Sequence, residues 1–191
     1  MQGRIFFAAL LGASLAWLGG AATGSGAELQ ISTTPVVMDH VTIETSKPYQ
    51  MVTSRLNEEV KRFDESYRTL LNENKIDELR AKLIQGLEPD GFMIHFVAQQ
   101  GDLSALDGTR RQGNVYYLGN VIAAAQLTKV NFSAALYAPL RLNVYENAHG
   151  GTTFEYDRPS TQFGQFHDSE IDKIAHILDD HMLRLITKVS S

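Results

Sequence analysis

Apolar residues return at intervals of three or four in some parts of this 191-residue chain and at intervals of two in others. That mixture restricts it to folds in which amphipathic helices cover a sheet. Val52, Leu56, Val60, Phe63, Tyr67 and Leu70 make one helical stripe, and Ile76, Leu79, Leu83 and Leu87 resume it after Asn72-Glu73-Asn74-Lys75. The spacing predicts two helices or one bent helix, opened at Thr45-Ser46-Lys47-Pro48 and stopped by Glu88-Pro89-Asp90-Gly91. A last helix starts at Asp168 and carries the stripe Ile171, Ile174, Ala175, Leu178, Met182, Leu185 and Ile186.

Between these lie the strand patterns. Val36 to Glu44 alternates apolar with polar and is rich in β-branched residues, whereas Phe92 to Val97 is a continuous apolar run, the mark of a buried strand. Gln99 to Gly113 is polar and reads as a long loop. Val115 to Leu118 is a third strand, Val121 to Leu127 a short alanine-rich helix or turn, and Leu140 to Tyr145 a fourth strand after Pro139. Asn147-Ala148-His149-Gly150-Gly151 is a hairpin loop returning into a fifth strand, Thr152 to Tyr156. The expected fold is α+β: a mainly antiparallel sheet of five strands, with amphipathic helices packed on one face.

Residues 1–27 read as a secretory signal peptide, with Arg4 as its charge, an apolar run from Ile5 to Leu18, and Ser25-Gly26-Ala27 as the small-x-small cleavage site. The rival is an uncleaved membrane anchor; a spanning helix needs roughly 20 strongly apolar residues, more than this run provides, which favours cleavage, and after cleavage no stable membrane insertion is expected. Residues 28–35 form a flexible lead-in, and 36–191 a single domain. The expected location is periplasmic or secreted.

The chain has no cysteine, which removes disulfides, thiolate metal sites, cysteine nucleophiles and lipid attachment, and leaves stability to the core alone. Its formal charge of −5 and the lack of a basic patch argue against nucleic acid as a partner.

Three segments carry a family resemblance. Val115 to Asn120 (Val-Tyr-Tyr-Leu-Gly-Asn), Ala134 to Leu142 (Ala-Ala-Leu-Tyr-Ala-Pro-Leu-Arg-Leu) and Thr153 to Pro159 (Thr-Phe-Glu-Tyr-Asp-Arg-Pro) resemble, in order and spacing, the domain of unknown function 302 family. There a strand ends in Phe-Gly-Asn-Pro, a segment like Ala-Leu-Asp-Leu-Pro-Leu-Arg comes next, and a hairpin closes on Ser-Tyr-x-x-Pro. In this chain Val121 replaces the proline after Gly-Asn, and Tyr137-Ala138 replaces Asp-Leu. Gln99-Gln100-Gly101-Asp102 stands where Asp-His would be sought, and Asp64 to Glu88 reads as an extra helical segment. The resemblance implies a compact α+β domain able to form a homodimer, and no established chemistry.

A few polar residues are candidates for site chemistry. Gly119-Asn120 ends a strand, where asparagine bonds nearby backbone. Asn120, Arg141, Tyr145 and Tyr156 are read as lining a small ligand pocket, with turn chemistry and sheet packing as the bland alternative. His95 in the apolar strand is either a pocket residue or a packed histidine. Asp172, His176 and Asp180 share one helix face and form either a metal-binding row or a solvated acidic face. No Gly-x-Ser-x-Gly elbow, phosphate loop or dinucleotide fingerprint occurs, and no cofactor is expected. The expectation is a non-enzymatic exported module that binds a small molecule or a protein partner. The rival is a metal-assisted or hydrolytic enzyme using His95 or the Asp172/His176 face.

Overall fold

The structure is a computed structural model that describes residues 29–191. The expected signal peptide, residues 1–27, lies outside the described residues. Among the described residues, the helices and strands fall within one compact unit, Pro35–Ser191.

Five strands form one sheet in the order β1-β5-β4-β3-β2, every neighbour antiparallel: β1 (His40–Thr45), β2 (Met93–Ala98), β3 (Gly113–Gly119), β4 (Leu140–Glu146) and β5 (Thr152–Asp157). β1 and β2 sit at opposite edges, so the chain between them crosses the sheet. It does so through α1 (Tyr49–Glu59), α2 (Glu65–Asn72) and α3 (Ile76–Leu87). The remaining helices are α4 (Gln100–Leu103), α5 (Val121–Val130), α6 (Pro159–Phe163) and α7 (Ser169–Val189).

Alternation sorts the strand residues by face. Leu142, Val144, Phe154 and Tyr156 turn to one side and are buried with Val52 and Leu56 of α1, Leu127 of α5 and Ile171, Met182 and Leu185 of α7. Arg141, Asn143, Tyr145 and Glu155 occupy the other side. The α+β expectation therefore holds, including the antiparallel sheet with five strands. A second, smaller cluster forms where Tyr67, Leu83 and Leu87 of α2 and α3 meet Met93.

The hairpin and the last helix are built by the local chemistry that the sequence announces. Asn147 Oδ1 accepts from the backbone N–H of His149 (3.0 Å) and Gly151 (2.9 Å), while Gly150 takes φ +77°. Asp168 Oδ1 accepts from Glu170 N–H (2.8 Å) and Ile171 N–H (3.1 Å), satisfying two orphan donors of α7.

Other expectations need correction. β1 begins at His40, and the alternating residues before it form no strand. The first apolar stripe spans two helices with a break at Val60–Asp64, making three helices before β2. At the break Phe63 N–H donates to Ile94 O (3.0 Å) and Ile94 N–H donates to Lys61 O (2.9 Å), so the edge of β2 recruits this backbone. Asp64 then restarts the helix by accepting from Ser66 N–H (2.8 Å). Within the expected loop 99–113, α4 and a 3-10 turn at Ser104–Asp107 form, and α6 appears where no helix was expected.

Candidate functional site

The turn from β3 into α5 creates the most distinctive site. Asn120 is the N-cap of α5: its Oδ1 accepts from Ala123 N–H at 2.9 Å, while its Nδ2 donates to Gly91 O at 3.0 Å. Both polar ends of the side chain are thus spent on backbone. They tie the start of α5 to the turn that leads into β2.

His95 owes its position to a β-bulge. Ile94 pairs with Leu118 and Phe96 with the adjacent Tyr117, so β2 carries one extra residue, His95, across that step. The bulge reverses the facing of the strand residues beyond it. Ile94 is buried, whereas Phe96 is 60% exposed and tilts against Tyr117 at 5.7 Å between ring centroids. The sequence reading, which buries Phe92 to Val97 throughout, is wrong at Phe96 for this reason.

The His95 imidazole stacks on Phe63 at 4.6 Å and 12°, and Phe63 stacks on Tyr67 at 4.8 Å and 14°. On its other side the ring lies against Gly119, where a Cβ would overlap Nε2. That nitrogen is buried with no hydrogen-bond partner. Burial holds the His95 pKa below the ordinary 6.5, so the ring is neutral at pH 7.

Between this stack, α5 and α7 lies a cavity of about 350 Å³. Phe92, Leu118, Leu127, Phe163 and Leu178 form apolar wall, joined by His95, Asn120 and the Arg68 side chain. Arg68 is 67% exposed and stands at the mouth, with its Nε 3.2 Å from Glu65 Oε2. No carboxylate, hydroxyl or lysine is among the residues lining the cavity.

The residues singled out from sequence are therefore only partly gathered. His95 and Asn120 share the cavity. Arg141 and Tyr145 lie on the opposite sheet face, where Arg141 Nη2 is 3.7 Å from Asp157 and the Tyr145 hydroxyl donates to Glu155 at 3.0 Å. Tyr156 is buried on the core side. One pocket lined by Asn120, Arg141, Tyr145 and Tyr156 does not exist, because strand alternation divides them. Phe63 and Arg68 were missed as site residues, since only the folded break between α1 and α2 brings them to β2.

On α7 the His176 side chain is 72% exposed with Nδ1 3.7 Å from Asp179. Among the described residues no three histidine, aspartate or glutamate side chains converge well enough to hold a metal ion, the Asp172, His176 and Asp180 row included. No helix among them is long and apolar enough to cross a membrane.

The depressed His95 pKa has a measurable consequence. The unfolded state binds more protons than the folded state once the pH drops toward and below 6.5, so His95 makes stability fall with acidification and contributes no slope well above 6.5. Urea unfolding measured from pH 7.5 to pH 5 should show a shallower acid-side loss in His95→Phe than in the wild type. Identical slopes would show that His95 is not held neutral by burial.

One antiparallel sheet with helices on one face, a capped strand-to-helix turn and a largely apolar cavity define a single-sheet α+β domain. The family model described as "Domain of unknown function DUF302" matches residues 67–189, and the chain belongs to that family. The matched span includes α3, within the segment set apart as an addition in the sequence reading, and leaves β1 and α1 ahead of it. The fold is similar to the crystal structure of an uncharacterized conserved protein DUF302 from Bacillus stearothermophilus, at TM-score 0.57 and 16% identity over 80% of this chain and 98% of that one. No curated protein matches the chain significantly.

Proposed function

We propose that the domain is a non-enzymatic binding module whose ligand is a small, mainly apolar molecule held in the cavity between β3, α5 and α7. The observation that carries this reading is the space of about 350 Å³ walled by apolar side chains. That volume falls at the lower end of the roughly 300–1,000 Å³ typical of small-molecule sites. An apolar concave surface of this size is unfavourable to leave in water, so a ligand that covers it gains from the burial.

The chemistry of the wall favours binding over turnover. General acid–base work by a histidine needs a proton donor or acceptor within reach, and nucleophilic catalysis needs a hydroxyl or carboxylate beside it. The lining residues supply neither, and the His95 Nε2 lies packed on Gly119.

Straight-chain alcohols from hexanol to decanol test the reading. A single saturable site per chain, with a rise in melting temperature that obeys mass action, is the expected result. Ala124→Phe, which projects a ring into the cavity from the half-buried face of α5, should weaken that binding at least tenfold. No thermal response to any member of the series would exclude the cavity as a ligand site.

A further inference from the structure

Among the described residues a single charged side chain lines this largely apolar cavity, and that combination points to a ligand class. At depth it is closed by Leu118, Phe163 and Leu178, which are 0%, 1% and 4% exposed. At the mouth stands Arg68, whose guanidinium supplies a positive charge. Resting on the binding role above, we infer that the natural ligand is a free medium-chain carboxylic acid, its tail in the apolar interior and its carboxylate on the Arg68 guanidinium.

Two features carry the anion. The first is the placing of charge: Arg68 is the only charged side chain lining the cavity among the described residues, and no lining carboxylate opposes a negative head group. The neutral His95 adds no second positive charge, so the Arg68 guanidinium, already shared with Glu65 through Nε, is the cation available to the head group. The second is the geometry of the fork. Glu65 meets Arg68 through Nε, and no hydrogen bond among the described residues engages the two terminal nitrogens. A carboxylate can therefore bind the outer edge of the guanidinium with two parallel hydrogen bonds.

The tail argument excludes the larger anions. A nucleotide or sugar phosphate carries polar groups along its length, and burying those against Phe92, Leu127 and Leu178 without partners is unfavourable. A hydrocarbon chain gains roughly 0.8 kcal/mol for each methylene removed from water.

Glu65 has a defined part in this arrangement. Lying three residues ahead of Arg68 on α2, it competes with the ligand carboxylate for the same cation. Removing its charge should tighten acid binding and leave a neutral ligand indifferent.

Decanoate and decanol, matched in tail and differing in head charge, separate this inference from the broader one. Titration calorimetry at pH 8 and low salt on the full domain should give at least tenfold tighter binding for decanoate. Arg68→Met keeps the aliphatic stem and removes the charge. It should abolish the preference and leave decanol affinity within about twofold, and Glu65→Gln should strengthen decanoate binding alone. Equal affinity of the wild type for the two probes, or a preference that survives in Arg68→Met, overturns the carboxylate assignment and leaves the cavity as a ligand site. Failure of both probes to bind overturns the two readings together.

Discussion

Gly91→Ala should destabilise the domain by about 2–5 kcal/mol, the sum of two separate penalties. Gly91 ends the turn between α3 and β2 at φ +79°, a conformation that costs a residue with a side chain about 1–2 kcal/mol. A Cβ at that position would also overlap the His181 imidazole, and overpacking of this kind costs about 1–3 kcal/mol. The ring cannot retreat freely, because it meets the edge of Phe92 at 6.0 Å and 90°. Urea unfolding of a double-mutant cycle with His181→Ala distinguishes the two penalties: the overlap disappears in the double variant and the backbone strain persists. An equal cost of Gly91→Ala in both backgrounds would remove the overlap from the account. Gly91 also positions the site, since its carbonyl accepts from Asn120, and a displaced turn would disturb the start of α5.

Phe154→Ala should cost about 3–5 kcal/mol, within the usual range for emptying a buried aromatic site. Phe154 is fully buried on β5, opposite Ile43 of β1 and Val144 of β4. Paired strands on both sides hold the backbone in place, so the void has little means of collapsing. Phe154→Leu, which leaves a smaller void, should cost less. The midpoint of urea denaturation measures the series; a loss under about 1 kcal/mol for the alanine variant would mean that β1 and α7 close over the gap.

Local signals announced much of this fold. β3, β4 and β5, the 147–151 loop and α7 arise from alternation, from Asn147 and Gly150, and from the Asp168 cap, all of which act within a few residues. The break after α1 escaped because Val60 and Phe63 keep helical spacing while the backbone of Lys61 and Phe63 is claimed by β2, a tertiary competition that periodicity does not register. The bulge at His95 escaped for a similar reason, since one inserted residue leaves the apolar run unchanged and reverses the face of Phe96.

The site was half legible. His95 and Asn120 stood out as polar residues in or at the end of apolar strands, and both reach the cavity. Alternation alone placed Arg141 and Tyr145 together, but the hairpin register was needed to send Tyr156 the other way: Val144 opposite Phe154 puts Tyr156 on the core side. Nothing in the sequence marks Arg68 as a site residue, because most of the cavity it guards is assembled from β2, β3, α5, α6 and α7, later in the chain.

The placing of β1 bears on how the molecule comes into being. Among the described residues its only neighbour in the sheet is β5, and the pairing joins His40 to Asp157 across 117 positions of sequence. As the chain emerges from its N-terminal end, the first strand waits for the last third of the sequence before it can find a partner. Throughout that interval its unpaired edge is open to chance pairing with other chains. Long-range closure of this kind is slow, so β1 should dock late, after the β4–β5 hairpin has formed through local contacts. The order of synthesis and the expected order of assembly run in opposite directions here, so β1 is made early and docks late.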